Sequence, residues 1–216
     1  MKFEAVLFDL DGTLLDSIED LTDSMNIVLD GFGFPSHDAE ACKHFVGDGV
    51  EMFALRALPE NQRDEAMVAQ CAAEMRAEYR KRWSLKTRPY DGIPELLDDL
   101  TLRNLKLAVL SNKPEESTKE MVAELLSKWQ FYPVAGARAS VPKKPDPTLA
   151  IEISQQLHVP ADKFLYLGDT GTDMKTARGA GMFPVGALWG FRAAEELNDT
   201  GAKVLVAHPS EVLQFL

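Results

Sequence analysis

Two adjoining segments decide the fold: FEAVLF at residues 3–8, and DLDGT directly after it at residues 9–13. The first segment is short, apolar and rich in residues that favour strands, and the Asp, Gly and Thr residues of the second end it. This pattern predicts a buried strand. A lone strand cannot bury both of its faces, so its partners must lie further along the chain.

Those partners are expected after residue 88, where strand and helix patterns alternate. Such alternation is typical of βαβ units and a parallel sheet. Residues 16–87 instead show apolar residues at helical spacing and no strand signal. The sequence therefore predicts an α/β core made of residues 1–15 plus 88–216, interrupted by an all-helical insert at residues 16–87. The later strands are predicted at Leu105–Leu110, Pro133–Ala137, Phe164–Leu167, Met182–Val185 and Val204–Val206.

Composition excludes several classes of protein. The chain has 216 residues and a formal net charge of −11, which disfavours binding to nucleic acid or to an anionic membrane. No apolar run approaches the roughly 20 residues that span a bilayer. Acidic residues interrupt the only apolar stretch near the start, which disfavours a signal peptide. Two cysteines cannot form a disulfide framework, so we expect a reduced, cytoplasmic setting.

Carboxylates follow two of the predicted strands. Asp9 and Asp11 come directly after the first strand, and Asp169 and Asp173 follow the strand at Phe164–Leu167. Ligands of open α/β sheets bind beyond the carboxyl ends of the strands. Four carboxylates gathered there would repel one another without a cation, and a set of oxygen ligands favours Mg²⁺.

Two plainer interpretations of these acids stay open, namely a solvated Asp-rich turn for DLDG and a first-turn helical acid for Asp173. A calcium loop is excluded because Leu14 and Leu15 occupy positions where ligands are required.

Donors follow the other strands. Ser111, Asn112 and Lys113 come after the strand at Leu105–Leu110, and their hydroxyl, amide and ammonium groups can all donate to an oxyanion. Lys144 lies in a segment stiffened by prolines before the next helix. Carboxylates and donors at one end of one sheet indicate metal-assisted transfer of an anionic group.

Four segments in this order resemble the motifs of the haloacid dehalogenase superfamily of hydrolases. They are FDLDGTLLDS at residues 8–17, Ser111 in LSNK, Lys144 in KKPDP, and GDTGTD at residues 168–173. The resemblance covers the whole chain. It implies a three-layer, Rossmann-like parallel sheet with an inserted helical cap.

The resemblance also implies a role for each matching residue. Asp9 would be the nucleophile that forms an aspartyl-phosphate, and also a Mg²⁺ ligand. Asp11 would be the general acid and base, with its main-chain carbonyl on the metal; the dehalogenases and phosphonoacetaldehyde hydrolases of the superfamily lack this acid. Ser111 and Lys144 would hold the phosphoryl oxygens. Asp169 would bind Mg²⁺, and Asp173 would support the coordination shell.

Three further segments are similar to the phosphoglycolate phosphatase branch: FVGDGV at residues 45–50, the SNK of residues 111–113 and WGF at residues 189–191. The expected substrate is a small phosphorylated metabolite, first 2-phosphoglycolate, for a monomer or homodimer. The alternatives are a sugar phosphate, nucleotide or pyrophosphate as substrate, a mutase similar to β-phosphoglucomutase, or a binding module without activity. The expected substrate contacts, besides Ser111 and Lys144, are Thr13, Gly47, Gly49, Asn112 and Lys113.

Overall fold

A six-stranded parallel sheet forms the core of the protein in the computed structural model, which describes residues 2–216. The strand order is β5-β4-β1-β6-β7-β8, and a separate pair joins β2 to β3. The strands are β1 (Ala5–Phe8), β2 (Leu15–Asp16), β3 (Arg88–Pro89), β4 (Lys106–Pro114), β5 (Phe131–Ala137), β6 (Phe164–Gly168), β7 (Phe183–Ala187) and β8 (Val204–Val206).

The central position of β1 explains its sequence. Ala5 pairs with Lys106 of β4 on one side and with Phe164 of β6 on the other. All four residues of β1 are fully buried, because both faces of the strand are covered. Burial of every residue requires a continuous apolar run rather than an alternating one, which is what the first segment of the chain supplies.

Helices connect the strands of the core. They are α5 (Ile93–Leu102), α6 (Glu115–Leu125), α7 (Thr148–Leu157), α8 (Gly171–Ala180) and α9 (Ala194–Thr200), with 3₁₀ turns at Ala161–Lys163 and Pro209–Phe215. Ala5 and Leu7 pack in one apolar cluster with α7 and α8. Val6 and Phe8 alternate to the opposite face of the sheet. The α/β fold class predicted from the sequence is confirmed.

The chain divides into two compact units, Met1–Leu15 with Pro89–Leu216 and, separately, Asp16–Arg88. The second unit contains α1 (Ile18–Gly31), α2 (Ala39–Phe45), α3 (Val50–Ala57) and α4 (Glu65–Arg82), with a 3₁₀ turn at Glu60–Gln62. Within this unit the buried Asp20 carboxylate accepts hydrogen bonds from the Lys86 and Thr87 N–H groups at 2.9 and 2.8 Å, and from the Thr87 hydroxyl at 2.7 Å.

The bounds of several strands differ from the predicted ones, most of all at the end of β4. The strand predicted at Leu105–Leu110 runs to Pro114, because β4 stays paired with β5 after a shift of register beyond Leu110. Ser111, Asn112 and Lys113 therefore lie on a strand rather than in a loop. The helix α2 begins after Asp38, because the Asp38 side chain accepts a hydrogen bond from the Ala41 N–H and caps the helix.

Candidate active site

The carboxylate of Asp9 lies at the carboxyl end of β1. Its Oδ1 accepts a hydrogen bond from the Leu10 N–H at 2.7 Å and lies 2.8 Å from the Lys144 Nζ. Both contacts fall on Oδ1, which leaves Oδ2 as the oxygen without a donor among the residues 2–216. The Asp9 side chain as a whole is 10% exposed.

A tight turn follows Asp9. The Leu10 carbonyl accepts hydrogen bonds from the N–H groups of Leu14 and Leu15 at 3.0 and 2.9 Å. Gly12 has a φ of +86°, and a Cβ at this position would collide with the Asp169 carboxylate. Glycine is therefore required at position 12 for two reasons: the backbone conformation, and the close approach of Asp169.

Asp11 faces a lysine. Both of its carboxylate oxygens lie 3.0 Å from the Lys113 Nζ, and the two side chains are 12% and 8% exposed. The Lys113 N–H donates to the Ser111 Oγ at 3.2 Å, so the serine hydroxyl keeps its own proton for another acceptor. The structure thus joins Asp11 to the segment that was predicted to bind an oxyanion.

Lys144 is the centre of the buried charges. Its Nζ lies 2.8 Å from Asp9 and donates to Asp173 at 2.7 Å and to the Leu110 carbonyl at 3.0 Å. Burial by itself lowers the pKa of Lys144, but the carboxylates of Asp173 and Asp9 outweigh it and hold that pKa well above its ordinary value. Lys144 is therefore a fixed positive charge beside Asp9.

The backbone of Lys144 is held by Asn112. The Asn112 amide donates to the Lys144 carbonyl at 3.1 Å, and its oxygen accepts from the Lys144 N–H at 2.9 Å. This pair of hydrogen bonds gives the Asn112 side chain a positioning role, and the predicted contact of Asn112 with substrate stays a prediction.

Asp169 is fully buried at the end of β6. Its Oδ1 accepts from the Thr13 hydroxyl and its Oδ2 from the Phe191 N–H, both at 2.8 Å. Burial and the nearby charge of Asp173 raise the pKa of Asp169 to about 7, and the two hydrogen bonds offset only part of this effect. Burial, with Asp173 and Asp169 close by, likewise raises the pKa of Asp9 well above its usual range.

Asp173 has both oxygens engaged. Its Oδ1 accepts from Lys144 and, at 3.1 Å, from the Tyr166 hydroxyl; its Oδ2 accepts from the Thr170 N–H and hydroxyl at 3.1 and 2.7 Å. The Thr170 side chain accepts in return from the Asp173 N–H, which completes a capping box at the start of α8. Asp173 therefore both binds the Lys144 ammonium and caps the N-terminus of α8.

These carboxylates fit a hard cation. Oxygens of Asp9, Asp169 and Asp173 lie within 4.8 Å of one another, and all three residues are buried. Burial, together with the neighbouring carboxylates, raises the pKa of Asp9 and of Asp169, so a cation at this position would offset the cost of burying their negative charge. Carboxylate oxygens are the ligands that Mg²⁺ prefers. The Asp11 carboxylate is not part of this cluster, and the predicted role of its main-chain carbonyl stays a prediction.

Gly47 and Gly49 belong to the helical unit. Both have a positive φ, of 122° and 95°, and Gly49 directly precedes α3. The loop between them is fixed within its own unit, since Arg56 donates to the Phe45 carbonyl at 3.0 Å and to the Asp48 carboxylate at 2.5 Å. Their predicted contact with substrate stays a prediction.

The structure adds contacts that the sequence does not predict. The Thr13 hydroxyl donates to Asp169, while the predicted contact of Thr13 with substrate stays a prediction, and the buried Tyr166 donates to Asp173. The segment at residues 189–191 supplies the Phe191 N–H to Asp169. The sequence carries two signals for this segment: its similarity to the phosphoglycolate phosphatase branch, and its place after a strand of the parallel sheet, where ligand-binding residues collect.

The chain is similar to known hydrolases in both sequence and structure. A profile of the haloacid dehalogenase-like hydrolases matches residues 6–187. A phosphoglycolate phosphatase of Aquifex aeolicus is 30% identical over 98% of this chain and 95% of its own, and one of Pseudomonas putida is 29% identical over 93% and 75%. A candidate phosphoglycolate phosphatase from Lactobacillus delbrueckii has a solved structure with a TM-score of 0.92 and 31% identity, over 100% of this chain and 98% of that one.

Proposed function

The chain belongs to the haloacid dehalogenase-like hydrolase family, and on that premise we propose that it is a Mg²⁺-dependent phosphatase acting on a small phosphorylated metabolite. The observation that carries this proposal is the arrangement around Asp9. Its Oδ1 is held by the Leu10 N–H and Lys144, while Oδ2 has no donor in the described chain. A carboxylate held by one oxygen, with the other available, is oriented for attack on phosphorus.

In the proposed reaction the Asp9 Oδ2 forms a bond to phosphorus as the bond from phosphorus to the ester oxygen breaks. Asp11 acts as the general acid in this step and gives a proton to the departing oxygen. Asp11 then takes a proton from a water molecule, whose oxygen attacks the phosphorus of the aspartyl-phosphate. Inorganic phosphate leaves and the Asp9 carboxylate is restored.

The neighbours of Asp9 support this chemistry. Lys144 holds positive charge next to the nucleophile, and Ser111 has a hydroxyl proton to offer to a phosphoryl oxygen. Asp9 and Asp169 would hold Mg²⁺, and Asp173 would support them through Lys144. When bound, the cation would neutralise charge on the carboxylates and on the phosphoryl group.

Lys113 is proposed to hold Asp11. Its ammonium lies 3.0 Å from both Asp11 oxygens, which fixes the acid in the site. A position fixed before substrate binds reduces the entropy lost when the reacting groups are brought together. Lys113 would thus act on substrate by holding the Asp11 carboxylate in place.

The proposed substrate is 2-phosphoglycolate, because relatives that match almost the whole chain carry that name. A panel of phosphorylated metabolites tests the choice by comparing kcat/KM from the release of free phosphate. We expect the highest value for 2-phosphoglycolate, and a higher value for a sugar phosphate, nucleotide or pyrophosphate would contradict it. Incubation with a sugar monophosphate separates phosphatase from mutase, because an isomerised product without free phosphate would contradict hydrolysis.

Asp9→Asn tests the mechanism. The amide cannot act as the nucleophile, so we expect turnover of p-nitrophenyl phosphate to fall by at least about a thousandfold. Far-UV circular dichroism should match that of the wild type, because the amide oxygen can still accept from Leu10 and Lys144. Residual turnover within tenfold of the wild type would refute the assignment of Asp9.

A further inference from the structure

The segment Trp189–Phe191 contacts the turn after β1 and the buried carboxylate of Asp169 together. The Trp189 indole N–H donates to the main-chain carbonyl of Thr13 at 2.9 Å. Two residues later, the Phe191 N–H donates to the Asp169 Oδ2 at 2.8 Å. One short segment therefore donates hydrogen bonds both to the turn after β1 and to the proposed metal ligand Asp169.

These contacts close a ring. The Thr13 hydroxyl donates to the Asp169 Oδ1 at 2.8 Å, while the carbonyl of the same residue accepts from Trp189. Thr13 and Asp169 are fully buried, and Phe191 is 4% exposed. The ring consists of Trp189, Thr13, Asp169 and Phe191, joined through the chain from Trp189 to Phe191.

Gly190 allows the segment to lie this close. A Cβ at Gly190 would collide with the Asp169 side chain and with the Gly12 carbonyl. The backbone of the segment therefore packs directly on the carboxylate with no side chain between them. The segment is anchored at its other side, where the Leu188 N–H donates to the Val206 carbonyl of β8 at 2.9 Å.

We propose that Trp189 is a positioning residue for the Asp169 carboxylate, and that it sets the affinity of the site for a divalent cation without touching the cation or the substrate. Its indole fixes the Thr13 carbonyl, which fixes the Thr13 hydroxyl, and this hydroxyl sets the rotation of the carboxylate. Each Asp169 oxygen then accepts one hydrogen bond and keeps a second acceptor direction for the cation. This inference rests on the proposed Mg²⁺-dependent function.

Trp189→Phe tests the inference, because it keeps an aromatic ring and removes only the indole donor. Groups that orient metal ligands through hydrogen bonds change metal affinity by about 10- to 100-fold when they are lost. We expect the Kd for Mg²⁺, measured by isothermal titration calorimetry without substrate, to rise about tenfold. At saturating Mg²⁺ the kcat should stay within about threefold of the wild type, since the reacting groups are unchanged.

Trp129→Phe is the matched control. The Trp129 indole also donates to a carboxylate, that of Asp98 at 2.7 Å, but Asp98 lies on α5 and outside the acidic cluster. The side chains of Trp189 and Trp129 are both half-buried. A merely structural role of tryptophan would lower the melting temperature of both variants and leave the Kd for Mg²⁺ unchanged in both.

Thr13→Val gives a second test if Trp189→Phe does not fold. It breaks the ring at the hydroxyl and should also weaken Mg²⁺ binding, whereas Thr13→Ser should keep the wild-type affinity. Equal Kd values for the wild type and Trp189→Phe, or for the wild type and Thr13→Val, would overturn the inference while the proposed function stands. A wild-type protein that binds no Mg²⁺ would instead overturn the proposed metal site and the inference with it.

Discussion

Replacement of the buried acid Asp169 should stabilise the protein while removing its activity. Asp169→Asn replaces a carboxylate whose pKa is raised to about 7 by burial and by the charge of Asp173. The amide can keep both hydrogen bonds, because its oxygen can accept from the Phe191 N–H and its nitrogen can donate to the Thr13 hydroxyl, which is free to rotate. The substitution therefore removes a buried charge at little cost in hydrogen bonding.

The size of this stabilisation follows from the number of protons that the native and the unfolded protein bind. Between about pH 4 and pH 7 the native protein keeps a proton on Asp169 that the unfolded chain has lost. The free energy of unfolding of the wild type therefore falls as pH rises through this window, by about 1.4 kcal/mol per pH unit from this group. The advantage of Asp169→Asn should grow by ~2 kcal/mol between pH 5 and pH 7 and level off by about pH 8.

Urea unfolding in the presence of EDTA at pH 5, 6, 7 and 8 measures the difference in the free energy of unfolding between variant and wild type. Asp199→Asn on the exposed end of α9 is the control for the loss of one negative charge outside the buried cluster. At pH 8, added Mg²⁺ should stabilise the wild type and not Asp169→Asn. A difference for Asp169→Asn that is equal at pH 5 and pH 8 would refute the reasoning from buried charge.

Three other outcomes are expected. EDTA should abolish phosphate release and Mg²⁺ should restore it; undiminished activity under chelation would contradict the metal role. Lys144→Met should lower the free energy of unfolding by about 3–5 kcal/mol, measured by urea unfolding, because it leaves Asp9 and Asp173 without their buried cation. The variant should also be inactive. A decrease in the free energy of unfolding below about 1 kcal/mol would contradict this account. Asp20→Asn should destabilise the helical unit by about 2 kcal/mol in thermal unfolding, because three donors share one carboxylate oxygen of Asp20. An unchanged melting temperature would contradict that account.

The architecture of the core and the position of the acids at its sheet could be predicted from the sequence. A continuous apolar run predicts a strand buried on both faces, and β1 lies at the centre of the sheet. The carboxyl ends of parallel strands meet at one edge, so acids that follow two such strands come together there. Asp9 and Asp169, which are 160 positions apart in the sequence, meet in this way in one buried cluster.

The partner of each side chain was decided only by the tertiary structure. Sequence patterns place residues on strand ends, but they do not say which oxygen faces which donor. The Asn112 side chain holds the Lys144 backbone, and Thr13 reaches Asp169 across 156 positions; neither partner is visible in the sequence pattern.

The closed hydrogen-bond ring through Trp189 is the clearest case of this limit. Periodicity encodes the burial of an element, because burial repeats along the chain. A hydrogen bond depends on atomic positions within a few tenths of an ångström, and those positions are fixed only when distant segments pack together. The sequence therefore determined where the acids gather, and packing determined how each one is held.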